Sequence, residues 1–158
     1  TWIDSGAALC RRAKPATPPK HLVSYFAVLN RGQLLLVDHR DAGLWLPSGG
    51  HVEPHEHPRD TVRRECIEEL RFDPGRPDSS PVFVTVTETV GRSSGHTDVS
   101  LWYIVPLPHG AAVSQDATEE FGSVGWFELD DLPGRADPHL RRFAKKLARR
   151  MEPHGDQS

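Results

Sequence analysis

Three glutamates, Glu65, Glu68 and Glu69, crowd one short stretch directly after Arg64. On a helix, Glu65 lies one turn before Glu69 with Glu68 between them, so three carboxylates gather on one part of the surface. Like charges at these spacings repel by about 0.2–0.5 kcal/mol per pair on an isolated helix. A divalent cation converts that repulsion into a binding site. Hard oxygen donors suit Mg²⁺ or Mn²⁺, ions that also take substrate phosphates as ligands. Upstream, Glu56 is placed to pair with Arg64 and fix the preceding loop against the helix. Gly49-Gly50 allows the backbone to approach a metal or phosphate closely. Taken alone, the glutamates are most simply a solvated helix face.

The helix that must carry them is predicted from Pro58 to Leu70. Proline suits its first turn, where a backbone N–H is not needed. Val62, Cys66 and Leu70 recur at i, i+4 and i+8 as an apolar stripe. Glu65, Glu68 and Glu69 are expected on roughly the opposite face, and Asp73-Pro74-Gly75 ends the element. Before the helix, Leu22 to Leu29 and Gln33 to Asp38 read as a hairpin turning at Asn30-Arg31-Gly32. Leu44-Trp45-Leu46 is a short apolar piece, Pro47-Ser48-Gly49-Gly50 a loop, and His51-Val52-Glu53 a few extended residues. After the helix, strands are expected over Pro81 to Val90, Asp98 to Leu107 and Val124 to Glu128. A second helix runs from Pro138 to Met151, with Leu140, Phe143, Leu147 and Met151 on one side. Residues 1–13 are compatible with a short helix, and three prolines make the stretch to Lys20 a semi-rigid linker. The polar tail at 152–158 is expected to fray. Strands and helices do not alternate regularly, which argues against a doubly wound sheet.

The charged positions form one long fixed-spacing pattern. Gly50, Glu56, Arg64, Glu65, Glu68, Glu69 and Phe72 resemble the Nudix box, Gly-x5-Glu-x7-Arg-Glu-U-x-Glu-Glu-x-Gly-U, where U is a bulky apolar residue. Cys66 fills the first U position. Arg71 replaces the last glycine, which normally ends the helix in a left-handed conformation. Leu44 to Gly50 resembles the family's Trp-x-Leu-Pro-Gly-Gly lead-in, with Ser48 for a frequent Gly. Trp126 to Pro133 resembles its late strand and turn. The resemblance spans about residues 21 to 150 of a chain read as one domain, 1–158.

The resemblance implies an α/β/α fold, a mixed sheet flanked by helices. It also implies hydrolysis of a phosphoanhydride in a nucleoside diphosphate linked to another moiety, as in a MutT-like nucleoside triphosphate or a nucleotide derivative. By resemblance, Glu65, Glu68, Glu69 and the Gly50 carbonyl hold Mg²⁺ (or Mn²⁺), and Glu65 or Glu69 takes the proton from water. Arg64 orients Glu65, and Glu56 holds Arg64 or contacts a metal through water. In some relatives the base lies on a late loop, which makes Glu119 and Glu120 candidates, although a solvated loop is the simpler account of both. His96 and Asp98 are candidate substrate contacts. His51, His55 and His57 are read as ordinary loop residues. Tyr25 and Trp45 suit either base stacking or core packing. The competing function is a non-catalytic nucleotide-binding or sensing module.

Composition bounds the partners. The 158 residues carry 19 basic and 22 acidic side chains, a net charge of -3, which gives no basic nucleic-acid footprint. The apolar runs are too short to span a bilayer as helices, so no membrane partner is expected. Cys10 and Cys66 cannot build a disulfide scaffold. Nothing signals export, so a cytoplasmic location is expected. A homodimer is expected only because many relatives associate.

Overall fold

The computed structural model describes residues 1–13, 17–75, 80–91 and 95–151. The linker residues 14–16 and the tail at 152–158 therefore lie outside the described residues. Strands β1 (Lys20–Asn30) and β2 (Gln33–His39) form the expected hairpin. Arg31 and Gly32 both have positive φ, 50° and 85°, as the tightest hairpin turns require. Then come β3 (Leu44–Leu46), β4 (Ser48–His51), helix α1 (Pro58–Leu70), β5 (Phe83–Glu88), β6 (Thr97–Pro106), β7 (Phe121–Glu128) and helix α2 (Leu140–Met151). The strands make one mixed sheet in the order β3-β2-β1-β6-β5, with β4 on β1 and β7 on β2. β1 and β6 pair in parallel along ten residue pairs, from Lys20↔Thr97 to Leu29↔Pro106.

Period-two alternation sends neighbouring side chains to opposite faces. Phe26, Val28, Leu35, Val37, Tyr103 and Val105 meet Val62, Cys66 and Leu70 of α1. Ala27, Leu34, Leu36 and Trp102 meet Leu140, Phe143, Ala144 and Leu147 of α2. Each large apolar side chain so buried contributes about 1.5–3 kcal/mol. The result is the expected α/β/α arrangement. Among the described residues, no helix is long and apolar enough to cross a membrane.

Three local expectations change. The N-terminal segment holds only a 3-10 turn, Ile3–Ser5, which Gly6 ends at φ 74°. The segment instead lies along the sheet, with Trp2, Leu9 and Cys10 packed on Leu22, Val52 and Val99. The glycine-rich lead-in is a strand rather than a loop: Ser48 to His51 pair with Phe26 to Val23. Glycine fits there because a Cβ at Gly49 would collide with Ser24 O and Tyr25. Finally, Glu65 does not lie opposite the apolar stripe. It is 8% exposed, beside Cys66, because a residue one step from the stripe is turned only about 100° from it.

Helix α1 starts as expected, with Pro58 in its first turn and the His57 ring accepting from Arg59 N–H at 3.2 Å. It ends on Arg71, left-handed at φ 61° and ψ 30°. Arg71 thus adopts the geometry normally given to glycine at this position. The N–H groups of Arg71 and Phe72 both donate to Cys66 O. Arg71→Gly is expected to stabilise the fold by about 1 kcal/mol, because a Cβ in this region is strained. Denaturant unfolding of the two proteins checks this. A loss of stability would mean that the arginine side chain outweighs the strain.

Candidate active site

A cavity of about 840 Å³ lies over the sheet at the start of β4 and along α1. Gly50, Arg64, Glu65, Glu69, Glu119 and Glu120 line it. β4 and α1 touch here because Gly50 has no side chain: a Cβ would collide with the Glu65 carboxylate. The carboxylate therefore sits directly against strand backbone.

Arg64 organises the acidic groups. Its Nε and Nη2 donate to Glu56 Oε1 at 2.9 Å and Oε2 at 3.0 Å, a bidentate fork. Its Nη1 donates to Glu65 Oε1 at 2.7 Å and Glu68 Oε2 at 3.3 Å. Nη2 also reaches His51 O at 3.2 Å. Glu56 Oε2 accepts further from the Thr61 hydroxyl at 2.7 Å and Glu53 N–H at 3.1 Å. Burial alone would raise the Glu56 pKa, but these donors together hold it below the usual carboxylate value.

Glu65 and Glu69 are both shifted the other way from Glu56. Burial pushes Glu65 up to about 7 against the pull of Arg64, and the charges of Glu68 and Glu120 add to the rise. Glu69 is raised by burial and then by Glu120. Its Oε2 is buried and makes no hydrogen bond among the described residues. Surplus negative charge, carboxylate donors and an orphaned oxygen fit a hard divalent cation. Glu68 is 55% exposed, pairs with Arg64 and does not line the cavity. Glu119 and Glu120 are exposed lining residues. His96 and Asp98 also line the cavity, but the structure sets them in a separate cluster with His21 and His51. His55 and His57 are loop and cap residues. Tyr25 and Trp45 pack edge-on against Trp102 and Phe127.

The sequence model of the NUDIX domain matches residues 20–147. The chain belongs to the Nudix family. As a Nudix hydrolase it acts on nucleoside diphosphate derivatives. Its fold is shared by a MutT Nudix hydrolase from Burkholderia pseudomallei, 24% identical with a TM-score of 0.68, over 81% of this chain and 98% of that one. It is shared also by the MutT protein of Methanosarcina mazei Go1, 21% identical with a TM-score of 0.70, over 85% and 97%. An ADP-ribose pyrophosphatase from Streptococcus suis is 22% identical with a TM-score of 0.55, over 84% and 93%. No curated protein matches the chain.

The stressed carboxylates of this Nudix hydrolase predict how the metal-free protein responds to pH. Glu65, at about 7, and Asp98, pushed up by burial to about 6, bind protons more tightly folded than unfolded. Their contribution is fully present below the unfolded carboxylate values and is lost as pH rises through 6 and 7. His21 opposes them, because burial lowers its pKa; its contribution changes mainly below the usual histidine value. Between roughly pH 6.5 and 8 the carboxylates dominate, and stability is expected to fall by about 1 kcal/mol. Urea unfolding in the presence of a chelator checks this. A rise in stability over that range would contradict the assignment.

Proposed function

We propose that this protein is a Mg²⁺-dependent pyrophosphohydrolase that cleaves a phosphoanhydride in a nucleoside triphosphate or another nucleotide derivative. The observation that carries it is Glu69 Oε2, buried without a hydrogen bond among the described residues, in a cavity that Glu65 also lines and that is large enough for a nucleotide. Glu65, Glu68, Glu69 and the Gly50 carbonyl are the residues that would hold Mg²⁺ (or Mn²⁺). The cation supplies charge neutralisation at the diphosphate and lowers the pKa of attacking water.

The protein's own groups do the rest. Arg64 is a positioning residue: it fixes the Glu65 carboxylate, while Glu56 fixes Arg64. Glu65 or Glu69 is placed to accept the proton of the attacking water. Glu120 is the stronger of the two loop candidates for that role, since its charge acts on both Glu65 and Glu69. The test is chromatographic detection of the nucleoside monophosphate and its co-product (pyrophosphate, a sugar phosphate or a second nucleotide) from nucleoside triphosphates (8-oxo-dGTP included), nucleotide sugars and dinucleoside polyphosphates, with Mg²⁺ and with a chelator. Turnover of one class that requires the metal supports the proposal. Tight nucleotide binding without turnover of any class would overturn it in favour of a sensing module.

A further inference from the structure

Three histidines and one aspartate converge beside the carboxylate site. His21 comes from β1, His51 from β4, Asp98 from the start of β6 and His96 from the position just before that strand. One ligand atom from each lies within 4.8 Å of the other three. The sheet itself builds the cluster, because β1 pairs with both neighbours: His21 stands opposite Asp98, and Val23 opposite His51.

Hydrogen bonds set the ring nitrogens. His21 Nδ1 donates to Pro18 O at 2.8 Å, which leaves the Nε2 lone pair facing Asp98 Oδ1 at 3.3 Å. Thr89 Oγ1 lies 3.1 Å from His96 O and 3.2 Å from His96 Nδ1, which engages that nitrogen and turns Nε2 the other way. His96 Nε2 then faces Asp98 Oδ1 at 3.4 Å. His51 Nε2 accepts from Arg11 Nη1 at 3.2 Å and lies 4.0 Å from the same oxygen. Three Nε2 atoms thus surround one carboxylate oxygen, two at 3.3–3.4 Å and His51 at 4.0 Å. Two of these atoms, His21 Nε2 and Asp98 Oδ1, are buried and make no hydrogen bond among the described residues. The His21 side chain is 0% exposed.

A second shell that protonates Nδ1 and presents Nε2 is the usual support of a histidine metal ligand. The spacing agrees. With bonds of 2.0–2.1 Å, a tetrahedral site has ligand–ligand edges of about 3.3–3.4 Å. Two edges of the cluster already have that length. His51 alone stands off, held by Arg11. Nitrogen-rich, four-ligand sets favour borderline ions over Mg²⁺.

We propose that His21, His51, His96 and Asp98 bind one d-block divalent cation of the Zn²⁺ type, at a site separate from the Nudix carboxylates. Four protein ligands make it a closed site. It ties β1, β4 and β6 together along the wall of the substrate cavity. On binding, His51 exchanges Arg11 for the ion.

Titration of the metal-free full chain with Co²⁺, read by visible absorption, tests this. The expected result is a strong d–d band of a low-coordinate nitrogen and oxygen site, saturating at one equivalent. It is displaced by Zn²⁺ but not by millimolar Mg²⁺, and it is retained in Glu69→Gln. His51→Ala and the isosteric Asp98→Asn, each checked for cooperative unfolding, weaken Co²⁺ binding at least tenfold. Arg11→Gln, which releases His51, tightens it several-fold. Spectra of hydrated Co²⁺ only, loss of the band in Glu69→Gln, or wild-type affinity in both His51→Ala and Asp98→Asn would overturn the proposal.

Discussion

Glu69→Gln is expected to lower kcat by on the order of 10²–10³-fold, the effect of removing one group that stabilises transition-state charge. The substitution keeps the shape and removes one formal charge from a cavity that is already too negative. Its Oε2 makes no hydrogen bond among the described residues, and burial and the Glu120 charge outweigh the pull of Thr118 and Arg71 on the carboxylate. The metal-free variant should therefore be at least as stable as the wild type, with a gain of about 0.5–1 kcal/mol from relieving a partly buried charge set among other carboxylates. Steady-state kinetics with Mg²⁺, set beside thermal unfolding in chelator, checks both halves. A variant that loses activity and stability together would make Glu69 a structural residue. Unchanged kcat would remove it from the catalytic machinery.

Arg64→Met is expected to have the larger effect on stability. The guanidinium serves Glu56, Glu65, Glu68 and the His51 carbonyl at once. Methionine fills the volume but leaves Glu56 partly buried without its fork. Breaking a buried pair from one side costs about 3–5 kcal/mol, and partial exposure of this pair reduces that to about 2–4 kcal/mol. For a domain of this size, the melting temperature should fall by roughly 5–15 °C. Activity should fall too, because Glu65 loses the donor that aims it. Arg64→Lys keeps the charge but not the planar fork, so it should recover only part of the stability. Calorimetry of the three proteins decides. Full recovery by lysine would show that charge alone matters.

Most of this architecture was legible in the sequence because it depends on local periodicity. The α1 boundaries follow from Pro58, the Val62-Cys66-Leu70 stripe and the breaker at Asp73-Pro74. The two faces of the sheet follow from alternation in β1, β2 and β6. Spacing also brought out the acidic residues, since Gly50, Glu56, Arg64, Glu65 and Glu69 lie on one short strand, the loop after it and one helix. Three features were not legible. The strand at Ser48–His51 is glycine-rich and depends on its partner β1, not on its own propensity. The burial of Glu65 depends on what lies across from it, the bare backbone of Gly50. His21, His51 and Arg11 carried no signal, because their grouping with His96 and Asp98 arises from strand register between distant segments.

That register also governs the order of assembly. Lys20 pairs with Thr97, 77 positions later (97 − 20), and the ladder continues to Pro106. Pairing this remote closes a long loop before it is rewarded, which makes the step slow compared with forming α1 or the β1–β2 hairpin. On the ribosome, α1 and its glutamates emerge while the long edge of β1 that β6 will cover is still open. A chain stopped before β6 would therefore display an unsatisfied apolar strand edge. The interval between the emergence of β1 and that of β6 is when this protein is most exposed to aggregation.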